Sequence, residues 1–136
     1  LMADGQLDVS VVSAVEYARD ANRLLLLPEL GITSDGPVRS VMLFSARAPQ
    51  DLGGRRVLVS RSSMTSVALL ELLFEHVWKC RPEFVPGDAE LADIAHFAND
   101  DHDARLVIGD AALKLFHESQ AGGAWATRYP WQEDLG

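Results

Sequence analysis

Between Val57 and Phe116 the sequence alternates short apolar segments with helical patterns, and nothing else in it constrains the fold as strongly. Val57-Leu58-Val59 has the make-up of a buried strand. A hydroxyl-rich turn, Ser60 to Thr65, leads into a helical stretch from Ser66 to Lys79. Pro82 to Pro86 encloses a second strand and Ala89 to Phe97 reads as a second helix. Ala104 to Ile108 is a third strand and Asp110 to Phe116 a third helix. Strands joined through helices run parallel, so this pattern predicts a small parallel α/β domain. The Ser66–Lys79 helix carries Val67, Leu69, Leu70, Leu72, Phe74 and Val77 on nearly every side, which calls for cover on more than one face. From Gln120 onward neither period continues, and the tail reads as irregular.

The front of the chain looks like the back portion of another such domain. Leu7 to Val12 reads as a strand, Ala14 to Ala21 as a short helix, and Arg23 to Leu27 as a buried strand stopped by Pro28. A turn-like stretch from Gly31 to Gly36 precedes a strand over Val38 to Ser45. Ala46 to Arg56, with Pro49, Gly53, Gly54 and several arginines, reads as an exposed connector. The expected division is therefore residues 1–46 and residues 47–136. There are no internal repeats, and the chain opens in what reads as the middle of an element, as an internal fragment would.

At 136 residues, 48% hydrophobic and 24% charged, the composition is globular. The strictly apolar runs reach four residues, as at Leu24 to Leu27, against the about 18–20 that a membrane span needs. Twelve basic against 20 acidic residues give a formal charge of −8. Phosphate neutralisation drives nucleic-acid affinity, so nucleic acid is not an expected partner. A small anion bound by local amides remains open. Cys80 is the only cysteine, which rules out an internal disulfide and a cysteine-based zinc site. It reads as an incidental thiol.

Ser60-Arg61-Ser62-Ser63-Met64-Thr65-Ser66 holds four serines and a threonine where a strand feeds a helix. Free amides and the helix dipole make such an end a place for carboxylates and phosphates, and Thr65 and Ser66 could add hydroxyl donors. Simple N-capping by Ser62 or Ser63 is the competing reading. Ser13 repeats the geometry after Val12, either as an N-cap or as a group lining a cleft. Arg39, in Asp35-Gly36-Pro37-Val38-Arg39-Ser40-Val41, could bind a carboxylate in bidentate fashion or form an ordinary ion pair. His96, Asp100, Asp101, His102 and Asp103 match no metal-ligand spacing and read as a solvated loop. Asp110, after Ile108-Gly109, reads as a helix cap.

Four stretches occur in the order found in one family: Leu7-Asp8-Val9-Ser10-Val11-Val12-Ser13-Ala14-Val15-Glu16-Tyr17-Ala18, Ser34-Asp35-Gly36-Pro37-Val38-Arg39-Ser40-Val41, Ser63-Met64-Thr65-Ser66-Val67-Ala68-Leu69-Leu70 and Leu106-Val107-Ile108-Gly109-Asp110-Ala111-Ala112-Leu113. Taken together they resemble the chorismate dehydratase family of the futalosine route to menaquinone. The resemblance implies a type-2 periplasmic-binding-protein-like α/β fold, two lobes with the ligand between them. This chain would supply part of the first lobe and most of the second. Members of the family are longer and begin with a strand bearing a Ser-Tyr-Leu-Asn-like motif, for which this chain has no counterpart.

The implied activity is a carbon–oxygen lyase that removes water from chorismate and leaves 3-[(1-carboxyvinyl)oxy]benzoate, in the cytoplasm and without a metal or organic cofactor. The substrate-binding candidates are then Ser13, Arg39, Ser40, Ser63, Thr65 and Ser66. Thr65 and Ser66, with the helix amides, would hold a substrate carboxylate, while Ser13 and Ser40 would bond substrate oxygens. No residue of this chain stands out as the general base. A first lobe short of strand partners also invites self-association. Two alternatives stay open: a sister enzyme acting on cyclic dehypoxanthine futalosine, and a non-catalytic solute-binding protein for a small carboxylate.

Overall fold

The structure, a computed structural model, describes residues 5–61, 63–87 and 101–136. The chain divides into two compact units, Leu1–Thr33 and Ser34–Gly136. The first holds one short helix, α1 (Ala14–Arg19), and no strand among its described residues. The expected strands over Leu7–Val12 and Arg23–Leu27 are therefore absent, and Val11 and Leu25 are 80% and 96% exposed. Apolar residues make a segment competent for a strand, but its backbone groups must still find a ladder partner, and none of the described strands pairs with these.

The second unit is a mixed five-stranded sheet with helices on both faces. Its strands are β1 (Val41–Ser45), β2 (Arg56–Ser60), β3 (Glu83–Gly87), β4 (Ala104–Ile108) and β5 (Trp131–Asp134), in the order β3-β2-β4-β1-β5. β2 is parallel to β3 and to β4, with Val57 opposite Phe84 and Ala104. β1 is antiparallel to β4, with Val41 opposite Ile108, and antiparallel to β5, with Met42 opposite Asp134. Four strands thus run one way and β1 the other, so the sheet is not purely parallel. β1, expected as the last strand of a first lobe, is an inner strand of this sheet. The tail is not irregular either, since it forms α4 (Ala124–Arg128) and then the edge strand β5.

Alternation along the strands sorts the core into two layers. Leu43, Val57, Val59 and Leu106 pack on one face against Leu70 and Phe74 of α2 (Met64–His76). Met42, Phe44 and Val107 pack on the other against Ala112 and Leu115 of α3 (Gly109–Gln120) and against Trp125 and Tyr129. The Phe44 and Trp125 rings meet edge to face, with centroids 5.3 Å apart. Each fully buried leucine or phenylalanine contributes about 1.5–3 kcal/mol relative to exposure. The all-round apolar pattern of α2 is used on one side only. Leu70 and Phe74 are buried while Leu72 stays 52% exposed.

The connector also departs from expectation. Pro49–Asp51 forms a 3-10 turn, and Leu52 is buried in the core beside Val57 and Phe74. A connector that donates a core leucine is fixed by packing, whatever its glycine content. The expected helix over 89–97, together with Ser62, His96 and Asp100, lies outside the described residues. Among the described residues no helix is long and apolar enough to cross a membrane.

Candidate functional site

Because β2, β3, β4 and β5 run the same way, their carboxyl ends share one edge of the sheet with the amino end of antiparallel β1. β2 runs by a short turn into α2, and β4 leads directly into α3, so two helix N-termini open at that edge. Open α/β sheets bind ligands beyond the carboxyl ends of their strands. Arg39-Ser40 before β1, Ser63 to Ser66 at the start of α2 and Gly109-Asp110 at the start of α3 all belong to this edge. The ends of β1 and β2 are separated by β4 alone, which puts them two strand spacings, about 10 Å, apart. Ser13 belongs to the other unit.

Ser63 is the N-cap of α2. Its hydroxyl accepts the Ser66 amide at 3.4 Å and donates its proton to Ser66 Oγ at 2.8 Å. With that proton engaged, Ser63 has only a lone pair left to offer, and anions are bound by donors. Ser66, 8% exposed, receives that bond and keeps its own proton for another acceptor. Thr65 lies exposed in the first turn of α2. Ser13 likewise caps α1, its hydroxyl accepting the amides of Val15 at 3.2 Å and Glu16 at 3.4 Å.

The Ser40 carbonyl accepts the Gly109 amide at 2.7 Å and so ties the start of β1 to the start of α3. Gly109 sits at φ 67°, a conformation open to glycine, and this sharp turn sends β4 straight into α3. Asp110 does not cap α3. The N-cap position is Ile108, with no side-chain cap bond, and Asp110 lies in the first turn, where its charge still complements the helix dipole. Arg39 is exposed, its amide donates to Asp134 Oδ2 at 2.9 Å, and its guanidinium lies over the Phe116 ring, 5.4 Å from the centroid. No ion pair involves it among the described residues.

The acidic loop before β4 is more than a solvated turn. His102 is buried and its Nε2 lies 2.6 Å from the Tyr129 hydroxyl, while Asp101 pairs with Arg56 at 2.8 Å and Asp103 with Arg47 at 3.4 Å. These partners lie far along the chain, and no local spacing announces them. Among the described residues no group of three or more His, Cys, Asp or Glu could hold a metal ion. Cys80 donates to the Pro49 carbonyl at 3.3 Å. Burial raises its thiol above the ordinary value, Asp51 adds to the rise, and a backbone hydrogen bond from Leu52 opposes it. A nucleophilic cysteine requires the opposite shift.

A mixed five-stranded sheet with helices on both faces, two of them starting at one edge, places the chain in the α/β class. A family model for menaquinone biosynthesis matches residues 1–127. The chain is also similar to a chorismate dehydratase of Thermus thermophilus, 35% identical over 117 residues that cover 85% of this chain and 40% of the relative. The chain belongs to the chorismate dehydratase family of menaquinone biosynthesis. It spans 40% of the length of the curated relative it matches.

Proposed function

We propose that this chain contributes to a cytoplasmic carbon–oxygen lyase that dehydrates chorismate in the futalosine route to menaquinone. The observation that carries this reading is the 35% identity to a chorismate dehydratase over 85% of the chain. In that reaction the bond from hydrogen to the ring carbon bearing the enolpyruvyl ether breaks, and its electron pair becomes a ring double bond. The neighbouring hydroxyl leaves with a proton as water, and the ring becomes aromatic. The work required of the protein is then largely to hold and orient a dianionic substrate while a proton moves.

The carboxyl edge of the sheet suits that work. Thr65, Ser66 and the amides of α2 would hold one substrate carboxylate, with Ser63 shaping the helix start. Ser40 would bond a substrate oxygen and Arg39 would supply a positive charge, and Ser13 is a separate candidate for a substrate oxygen. The general base lies outside this set or is a carboxylate of the substrate. In this reading the fold is periplasmic-binding-protein-like, the chain before β1 belonging to one lobe and β1 with the strands it pairs to the other. An inner strand that runs against its neighbours, β1, fits a chain crossing between lobes. The exposed apolar residues of the first unit, Leu25 and Ile32 among them, favour self-association.

Incubating the protein with chorismate and following the reaction by mass spectrometry and ultraviolet absorption tests the assignment. Turnover gives an aromatic product lighter by one water. Tight binding of another carboxylate with no turnover of chorismate would move the protein to the solute-binding class.

A further inference from the structure

We propose that Asp134 is a positioning residue for this site: its carboxylate captures the Arg39 amide, holds Arg39 in a left-handed conformation and thereby fixes the Arg39-Ser40 pair at the ligand edge. The inference rests on the reading of that edge as the chorismate site. Arg39 has φ 56°, a region where residues other than glycine are uncommon. Such strain persists only where its surroundings over-determine it, and it collects at ligand clamps and active sites. Here three independent contacts do so. The Arg39 amide donates to Asp134 Oδ2 at 2.9 Å across 95 residues of sequence, the guanidinium rests on Phe116, and the next carbonyl, that of Ser40, accepts from Gly109.

Asp134 is itself held on both sides. It lies opposite Met42 in the β5–β1 ladder, and its second oxygen, Oδ1, accepts the Gly136 amide at 3.2 Å. One carboxylate therefore joins the end of β5 to the residue that turns the chain into β1. Leaving the left-handed region changes φ and ψ together, which reorients the peptide linking Arg39 to Ser40. It also swings the guanidinium off Phe116. Without Asp134, the cation and the hydroxyl assigned to the substrate lose their common frame. Glycine would occupy this turn without strain, but it would bring no guanidinium to Phe116.

The test uses the whole chain, labelled with nitrogen-15, and three forms: unaltered, Asp134→Ala and Asp134→Asn. In the unaltered chain the Arg39 amide proton should follow the protonation of a carboxylate as pH is lowered. In Asp134→Ala its shift and its HN–Hα coupling should change, and chorismate, titrated by calorimetry, should bind roughly tenfold more weakly. Asp134→Asn keeps an acceptor oxygen and should restore most of both. A thermal melt of each form separates binding from folding. The inference is overturned if the Arg39 amide ignores carboxylate protonation, a result that needs no variant to fold. It is also overturned if Asp134→Ala leaves the Arg39 signals in place, or changes them with chorismate affinity intact. If the unaltered chain does not bind chorismate, the chorismate reading falls, and Asp134 is judged on the Arg39 signals alone.

Discussion

Replacing Ser63 by alanine and Thr65 by valine separates capping from ligand binding at the start of α2. Ser63 Oγ satisfies the Ser66 amide and donates to the Ser66 hydroxyl. Ser63→Ala removes both bonds at once. Losing a serine N-cap costs about 1 kcal/mol, within a range of about 0.5–2. Ser66, 8% exposed, also loses the donor to its Oγ, but a hydroxyl keeps other ways to satisfy itself, so that term is taken at the low end for a hydrogen bond, about 0.5 kcal/mol. The total of about 1–1.5 kcal/mol corresponds to a fall of roughly 4–12 °C in Tm for a unit of this size. Chorismate affinity should change little, because the Ser63 proton is already engaged within the protein. Thr65→Val is nearly isosteric and deletes only a hydroxyl. It should weaken chorismate binding about ten- to a hundredfold, as expected when one hydrogen bond to a charged group is lost. Calorimetry for binding and a thermal melt for stability, run on both variants, give four readouts. A Ser63→Ala protein that melts like the parent would refute the capping argument. A Thr65→Val protein with full affinity would remove Thr65 from the site.

Tyr129→Phe deletes the hydroxyl 2.6 Å from buried His102 Nε2 and should cost about 1–3 kcal/mol in urea unfolding, and an unchanged midpoint would show that the pair contributes nothing net. The raised Cys80 thiol favours the neutral form in the folded state, so its contribution is fully present below the unfolded value near 9.0 and is lost as pH rises through the folded value. Urea midpoints measured at pH 8 and pH 10 should therefore fall more for the parent than for Cys80→Ala, and equal falls would contradict the assignment. The exposed apolar residues of the first unit should make the chain associate with rising concentration, while β2, β4, α2 and α3 retain slow hydrogen exchange. Light scattering that reports a monomer at every concentration, with the first unit fully protected, would overturn that expectation.

Much of the second unit was legible locally. β2, β3, β4, α2 and α3 fall within a few residues of the segments marked by period, because each carries its own signal, a run of β-branched and aliphatic residues or a helical stripe. Ser63 was readable as a cap for the same reason, since a serine three residues before an amide at a helix start is a local pattern. The hydroxyl-rich turn pointed to the edge of the sheet where the candidate site lies. Trp131 to Asp134, by contrast, has no strand pattern of its own. β5 exists because β1 presents a free ladder to it, with Ser45 opposite Trp131 and Met42 opposite Asp134.

By itself, then, the sequence determined the α/β class, the helices and strands of the described part of its central stretch, and the lack of a cysteine pair for an internal disulfide. Tertiary structure decided which apolar segments became strands. Leu7 to Val12 and Arg23 to Leu27 have strand composition and form none, whereas Trp131 to Asp134 lacks it and forms one. It also decided the direction of β1, the burial of Leu52 and His102, and the 2.9 Å bond by which Asp134 holds Arg39. The physical reason is common to all of these. A helix satisfies its hydrogen bonds within a few residues, but a strand, a buried histidine or a strained turn is satisfied by partners that only folding brings near.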